Sequence, residues 1–134
     1  MNKGIAFAAA AALAWTVPAL AQSGPQSVVS IYHVAPGHHV AFLKWLDRQD
    51  KISAAAGIAP SQLYAHMDGD SWDYVVIGPM TTEAQDAAFE AAAKKMGVNP
   101  MRGGIEMRTH ISSHTDTMAA GPMTAAQYLA RVGE

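Results

Sequence analysis

Side chains that can exchange protons or hold anions recur at alternate positions in two segments of the sequence. Glu106, Arg108 and His110 are spaced two residues apart in one segment, and Tyr64 and His66 in another. Imidazole takes and gives protons near neutral pH, a tyrosine hydroxyl orients an oxyanion, and a guanidinium binds a carboxylate or phenolate. These five residues are the candidate catalytic residues, for acid–base chemistry. The alternative is a Glu106–Arg108 ion pair, with both histidines in structural hydrogen bonds.

Four further residues are candidates for substrate binding. Tyr32, Trp72 and Tyr74 are aromatic residues of strand-like segments. They share the alternation of the candidate catalytic residues, so we expect them on the same face of a sheet. His33 has the opposite alternation, but it lies at the end of its segment, where strands often present ligand-binding side chains. The alternative for His33 is a core histidine that is bonded to a backbone carbonyl.

The sequence predicts neither a metal nor a cofactor. It contains no cysteine and no His-Glu-x-x-His motif, which excludes thiolate metal sites, iron–sulfur clusters and the common helical zinc site. His110 and His114 would lie about 13 Å apart on an extended strand, too far apart to share an ion. His38 and His39 are interpreted as the solvated first turn of a helix. Haem binding is left open, with three candidate axial ligands: His33, His66 and His110.

Size and charge narrow the class of protein. The chain has 134 residues with 9 basic and 11 acidic side chains, and 50% of its residues are hydrophobic. That length suits one small domain. The formal net charge of −2 lacks the basic character that nucleic-acid binding usually needs. We therefore expect no nucleic-acid partner.

The first 21 residues have the pattern of a secretory signal peptide. Lys3 is their one charged side chain, an apolar run extends from residue 5 to residue 15, and Ala19-Leu20-Ala21 forms a small-x-small cleavage signal. The run is about half of the roughly 20 residues needed to span a bilayer. We expect a secreted or periplasmic protein with no membrane partner after cleavage, a linker at 22–27 and one domain at 28–134.

Strand and helix patterns alternate along this domain. Strands are predicted at 27–34, 61–67, 72–77 and 105–112, helices at 38–56 and 83–96, and a short C-terminal helix at 124–132. Asp68-Gly69 indicates a hairpin turn. The order βαββαβ predicts an α+β, ferredoxin-like fold with a four-stranded antiparallel sheet, two helices on one face and a C-terminal helical extension from about 115 to 134.

The two faces of this predicted sheet differ in character. We expect the polar and aromatic residues on the face away from the helices. The expected helix-facing set is Val29, Ile31, Leu63, Ala65, Met67, Val75, Ile77, Ile105, Met107 and Ile111. A large aromatic sheet face is seldom left in water. We therefore predict a homodimer in which two such faces stack around a cavity, since a two-fold dimer needs only one self-complementary patch.

The chain resembles the dimeric α+β barrel superfamily. The resemblance covers roughly 28–112 and rests on the βαββαβ order, the aromatic strands, VAPG at 34–37 and FLKWL at 42–46. It implies a dimer with a small-molecule pocket. Members include cofactor-independent monooxygenases of antibiotic biosynthesis, haem-degrading and haem-dependent enzymes, lactone isomerases and stress-responsive proteins, so fold alone does not choose an activity.

The leading hypothesis is an exported homodimer that binds a small, partly apolar organic molecule. The acid–base residues would make it a cofactor-independent enzyme, but the sequence does not establish that a reaction occurs. The alternatives are a non-catalytic structural or stress-related dimer and a haem-binding protein.

Overall fold

The computed structural model describes residues 25–69 and 71–134. The predicted signal peptide and residues 22–24 of the linker lie outside these described residues. The elements are β1 (Gln26–Val34), α1 (His39–Ala55), β2 (Gln62–Ala65), β3 (Tyr74–Pro79), α2 (Glu83–Lys95), a 3-10 turn (Pro100–Arg102), α3 (Gly103–Arg108), β4 (Ile111–Ala120) and α4 (Ala125–Val132). The βαββαβ order and the ferredoxin-like fold are confirmed. In the described part of the chain, no helix is both long and apolar enough to cross a bilayer.

The four strands form one antiparallel sheet in the order β2-β3-β1-β4. As expected, β2 and β4 are the opposite edges. β1 is a central strand and pairs with β3 on one side and with β4 on the other. Ile31 lies opposite Val75 and Thr115, and Tyr32 lies opposite Tyr74 and His114. Because cross-strand partners share a face, this register assigns every strand residue to one of the two faces.

Helix α1 lies on the face that carries Tyr32 and Val34, which we call the covered face. Both residues are 7% exposed and pack on Phe42 of α1, which is fully buried. Met107 of α3 joins this cluster, whereas α2 packs on α1 through Ala92, Ala93 and Ile52. Among the described residues, neither of the two core clusters includes a side chain of the opposite face, which we call the uncovered face.

The expected assignment of the faces is correct for β2 but wrong for β1 and β3. Leu63 faces the helices as predicted, because it pairs with Val76 of the covered face. Val29, Ile31, Val75 and Ile77 were expected there too, but lie half-buried on the uncovered face. The two central strands are apolar on both sides, so alternation alone cannot identify the helix side.

The predicted fourth strand at 105–112 is also wrong. Residues up to Arg108 form α3, and the strand begins at Ile111 and runs to Ala120. A helical turn starts at Pro100, which Asn99 caps by accepting a hydrogen bond from the Met101 N–H at 3.0 Å. β4 is a polar segment with little strand pattern of its own, and it is held by pairing along the whole of β1.

Helix ends follow the sequence signals more closely. The Thr82–Gln85 capping box is present, with the Gln85 N–H donating to Thr82 Oγ1 at 3.3 Å and the Thr82 N–H donating to Gln85 Oε1 at 3.0 Å. Thr124 caps α4 in the same way. Gly57 takes the left-handed conformation expected after α1, with φ +72°.

Candidate functional site

A row of five rings crosses the covered face beneath the first half of α1. His39, Tyr74, Phe42, Tyr32 and His114 follow one another at centroid distances of 6.0, 5.7, 4.9 and 5.8 Å. The Tyr32 and His114 rings are stacked, with 12° between their planes. Since Phe42 is fully buried at the centre of the row, these rings fill the space between helix and sheet.

Polar groups lie at the ends of this row. The Tyr74 hydroxyl is 3.5 Å from His39 Nδ1, and His114 Nε2 is 3.3 Å from Asp116 Oδ2. Burial raises the pKa of Tyr32, a hydrogen bond with Ser30 opposes that shift, and the Asp116 carboxylate adds to it. The Tyr32 hydroxyl is therefore held in its neutral form within the core.

The structure separates Glu106 and Arg108, which the predicted strand had placed side by side. Both belong to α3. Arg108 Nη1 donates to the Gly104 carbonyl at 3.2 Å, and Glu106 accepts from Arg48 Nη2 of α1 at 2.5 Å. The alternative of a Glu106–Arg108 ion pair is thus wrong, because Glu106 pairs with Arg48. The Arg48 hydrogen bond lowers the pKa of Glu106, although partial burial opposes it.

His110 lies in the turn between α3 and β4, away from Tyr64 and His66. Its Nδ1 is 3.4 Å from Nδ1 of His38, the residue before α1. The two segments are joined through Ala35, whose N–H donates to the His110 carbonyl at 2.9 Å and whose carbonyl accepts from the His38 N–H at 2.9 Å. His110 therefore belongs to a local histidine pair.

Tyr64 and His66 are on or beside β2, at the other edge of the sheet. Tyr64 is 50% exposed on the uncovered face, and its hydroxyl donates to Gln62 Oε1 at 3.2 Å. The His66 and Trp72 rings are 5.0 Å apart, and His66 Nε2 is buried with no hydrogen-bond partner among the described residues. Within one subunit, the five candidate catalytic residues therefore occupy three separate places.

The four candidate substrate-binding residues are divided as well. Tyr32 and Tyr74 are cross-strand partners on the covered face, where they form part of the ring row rather than the dimer-facing surface that was expected. Trp72 packs beside His66. His33, expected on the helix side, is half-buried on the uncovered face, and its carbonyl accepts from Ser112 Oγ at 3.0 Å.

The uncovered face contains a concavity of about 450 Å³ at one end. It is mainly apolar and is lined by Pro25, Gln26, Ser27, Val29, Ala59, Pro60, Gln62, Tyr64, Ile77, Gly78, Pro79, Ala119, Ala120, Gly121 and Pro122. Of the predicted site residues, Tyr64 alone borders it. Sequence analysis missed its aliphatic wall because Val29 and Ile77 were assigned to the helix side. The sequence signal that could have revealed this wall is the presence of adjacent apolar residues in both central strands, such as Val28-Val29 in β1 and Val75-Val76 in β3.

Polar side chains in this concavity are few, and they come from two strands that are separated by β3. Gln62 and Tyr64 come from the edge strand β2 and Ser27 from the central strand β1. The Ser27 hydroxyl donates to the Gly121 carbonyl at 3.3 Å, so it retains its capacity to accept a hydrogen bond. An apolar wall with a few polar groups is the usual composition of a small-molecule site.

Metal ligands are not clustered in the described part of the chain, where no group of three or more His, Cys, Asp or Glu residues is arranged around one point. The three histidines proposed as axial haem ligands lie in three different environments: the uncovered face for His33, the β2–β3 hairpin for His66 and the α3–β4 turn for His110.

Comparison with known proteins identifies the fold. PA3566 from Pseudomonas aeruginosa matches with a TM-score of 0.51 and 16% identity, over 76% of this chain and 98% of that one. SnoaB, a cofactor-independent oxygenase from Streptomyces nogalater, matches with a TM-score of 0.52 and 19% identity, over 77% and 98%. Rv0793 from Mycobacterium tuberculosis has a TM-score of 0.53 and 14% identity, over 75% and 98%.

The sequence matches no protein-family model and no curated protein. The likeness is therefore structural. It shows the ferredoxin-like subunit fold over about three quarters of the chain.

Proposed function

We propose that this protein binds a small, largely apolar organic molecule in the concavity of the uncovered face, and that it does so as an exported homodimer. The observation that carries the proposal is the concavity of about 450 Å³ itself. It lies within the range of about 300–1,000 Å³ that is typical of ligand pockets. The positions of its polar groups suit a ligand with one polar edge.

Binding would use two kinds of contact. Val29, Ile77 and the surrounding prolines offer an apolar surface for a ring or chain. The Tyr64 hydroxyl and the Gln62 amide already contact each other at 3.2 Å, and both can turn to a ligand oxygen, since each can donate and accept. This pair favours a hydroxyl or carbonyl group on the ligand.

A second copy of the subunit is the proposed cover of this face. Val29, Ile31, Val75 and Ile77 form a continuous aliphatic patch on the two central strands. Strands that are apolar on both sides are typical of sheets covered on both sides. Two such faces related by a two-fold axis would enclose both concavities between the sheets. A solid interface without a cavity would instead favour the structural-module alternative.

Export is proposed because the first 21 residues have the pattern of a secretory signal peptide. Cleavage after Ala21 would leave residues 22–24 ahead of Pro25, which borders the concavity.

Catalysis without a cofactor is the second candidate function. Tyr64 is the one titratable side chain among the described residues that line the concavity, and a tyrosine hydroxyl can donate or remove a proton when a ligand oxygen lies within hydrogen-bond reach. SnoaB is described as a cofactor-independent oxygenase. His66, two residues further along, is the nearest of the other candidate catalytic residues in sequence, but its Nε2 is buried within the subunit.

Native mass spectrometry of the protein purified from its own host tests the dimer and the ligand together. We expect twice the subunit mass and a retained small molecule. The site is located by titration with the fluorescent probe 1-anilinonaphthalene-8-sulfonate. Val29→Trp fills the concavity and should weaken probe binding at least about 10-fold, the cost of roughly 1.4 kcal/mol of lost contact.

Val40→Trp is the matched control, because Val40 is 66% exposed on α1. It should change binding less than twofold. Equal binding by the Val29→Trp and Val40→Trp variants would remove the concavity as the site. Turnover of the retained ligand that survives Tyr64→Phe would remove the proposed acid–base role of Tyr64, leaving binding as the function.

A further inference from the structure

We propose that His38 and His110 form a two-histidine site for Zn²⁺. The site goes beyond the proposed function, because neither histidine lines the concavity. The two residues come from different elements, the turn before α1 and the turn before β4, and their side chains meet through the same atom, Nδ1, at 3.4 Å. The sequence separates them by 72 positions, and for that reason the pair was not predicted.

The separation of the two nitrogens fits a shared ion better than a direct hydrogen bond. Nitrogen-donor hydrogen bonds cluster near 2.9–3.0 Å, so 3.4 Å is long for an N–H to nitrogen contact. Two imidazole nitrogens bound to one Zn²⁺ at 2.0–2.1 Å with a tetrahedral angle lie about 3.4 Å apart. The pair therefore already has the spacing of two ligands of a tetrahedral ion.

The backbone holds the two segments that carry His38 and His110 together without a metal. The Ala35 carbonyl accepts from the His38 N–H, and the Ala35 N–H donates to the His110 carbonyl, both at 2.9 Å. The His110 N–H donates in turn to the Met107 carbonyl at 2.9 Å. Ala35 thus links the backbones of His38 and His110, and the hydrogen bond to Met107 links His110 to α3. The backbone of both ligands is therefore ordered before the ion binds, which reduces the entropic cost of binding.

The remaining coordination positions would be filled by water, since no third His, Cys, Asp or Glu of the described residues joins the pair. Glu106 is not a ligand of this pair, because its carboxylate is engaged by Arg48. A site with two protein ligands and open positions can exchange its ion with solvent.

Co²⁺ absorption on the untagged, mature, chelator-treated protein tests the proposal. Tetrahedral Co²⁺ gives intense visible bands that octahedral aqueous Co²⁺ lacks, and Zn²⁺ should displace it. We expect these bands in the native chain and a decrease in Zn²⁺ affinity of at least about 10-fold in His38→Ala and in His110→Ala, comparable to losses seen when a metal site is perturbed.

His39→Ala and His66→Ala are the controls, since one neighbours the pair in sequence and the other lies at the opposite edge of the sheet. Both should keep the native affinity within twofold. Selective broadening or shifts of the His38 and His110 imidazole signals on addition of Zn²⁺ give a readout that needs no variant. The absence of tetrahedral bands, or equal losses in all four variants, would overturn the site.

Discussion

The two faces of the sheet differ in the apolar side chains at the centre of each. The covered face carries rings, with Tyr32 and Tyr74 packed around Phe42 of α1. The uncovered face carries branched aliphatic side chains, Ile31 and Val75 among them, which remain half-buried in the single subunit. Tyr32 alternates with Ile31 along β1, and Tyr74 with Val75 along β3. The comparison shows that alternation detects two faces but does not say which one the helices cover.

Geometry explains the division. A helix offers a narrow, ridged surface, and long rings that lean from the strands can fill the spaces beside Phe42. Aliphatic residues on a pleated strand make a flatter layer, which suits a second sheet packed about 10 Å away. The covered face packs against α1 within the subunit, and the uncovered face would form the interface of the proposed dimer.

Removing the central ring of the covered face should have the largest effect. Phe42→Ala is expected to lower the free energy of unfolding by about 3–5 kcal/mol, because Phe42 is fully buried between Tyr32 and Tyr74. Urea unfolding measures the change. Val40→Ala, at a 66% exposed position of the same helix, should change it by less than about 0.5 kcal/mol. Similar losses in both variants would contradict this account of the core.

A charge on the aliphatic face should separate the subunits while leaving each one folded. Ile31→Asp is expected to weaken dimerisation at least about 100-fold, because an unpaired carboxylate would be buried between the two sheets. Sedimentation equilibrium measures the constant, and circular dichroism checks the fold. Ala87→Asp, on the exposed side of α2, should leave association unchanged. If Ile31→Asp remains as dimeric as the native chain, the interface lies elsewhere.

The smallest effect on the free energy of unfolding is expected when the Arg48–Glu106 pair, which lies outside both faces, is removed. Its side chains are 35% and 40% exposed, so the pair should contribute no more than about 0.5 kcal/mol. Because the folded pKa of Glu106 is lowered, this contribution is present above the ordinary glutamate pKa of about 4.3 and is lost as pH falls through the lower folded value. Glu106→Gln should therefore destabilise slightly at pH 7 and not in strong acid.

Urea unfolding at both pH values measures this difference. Glu90→Gln is the control, because the Lys94 Nζ–Glu90 Oε2 separation is 3.7 Å and both side chains are more exposed. A Glu106→Gln effect that persists unchanged in strong acid would show that the ion pair is not its cause.

The elements with strong local signals were predictable. The Thr82–Gln85 capping box, the Gly57 cap and the first helix depend on short-range chemistry, and the structure has each of them. The fourth strand was not predictable in the same way. Its residues are polar, and it depends on hydrogen bonds to β1. The segment before it alternates like a strand in sequence but forms α3, which follows the helical turn that begins at Pro100.

The candidate site was predictable only in part, for the same reason. Tyr64 was correctly placed away from the helices because β2 is an edge strand with a clear alternation of apolar and polar residues. Val29 and Ile77 were assigned to the wrong side because their strands carry apolar residues on both faces. The His38–His110 pair joins two turns that are distant in sequence, and no local pattern marks it.

The amino-acid sequence by itself determined the order of elements, the helix caps and the ferredoxin-like class, since periodicity and turn chemistry act over a few residues. Only the tertiary structure decided which side of β1 meets α1, that Glu106 pairs with Arg48, and where a concavity forms. These features depend on register and on how side chains fill shared space. A strand that is apolar on both sides is compatible with either orientation until its neighbours are in place.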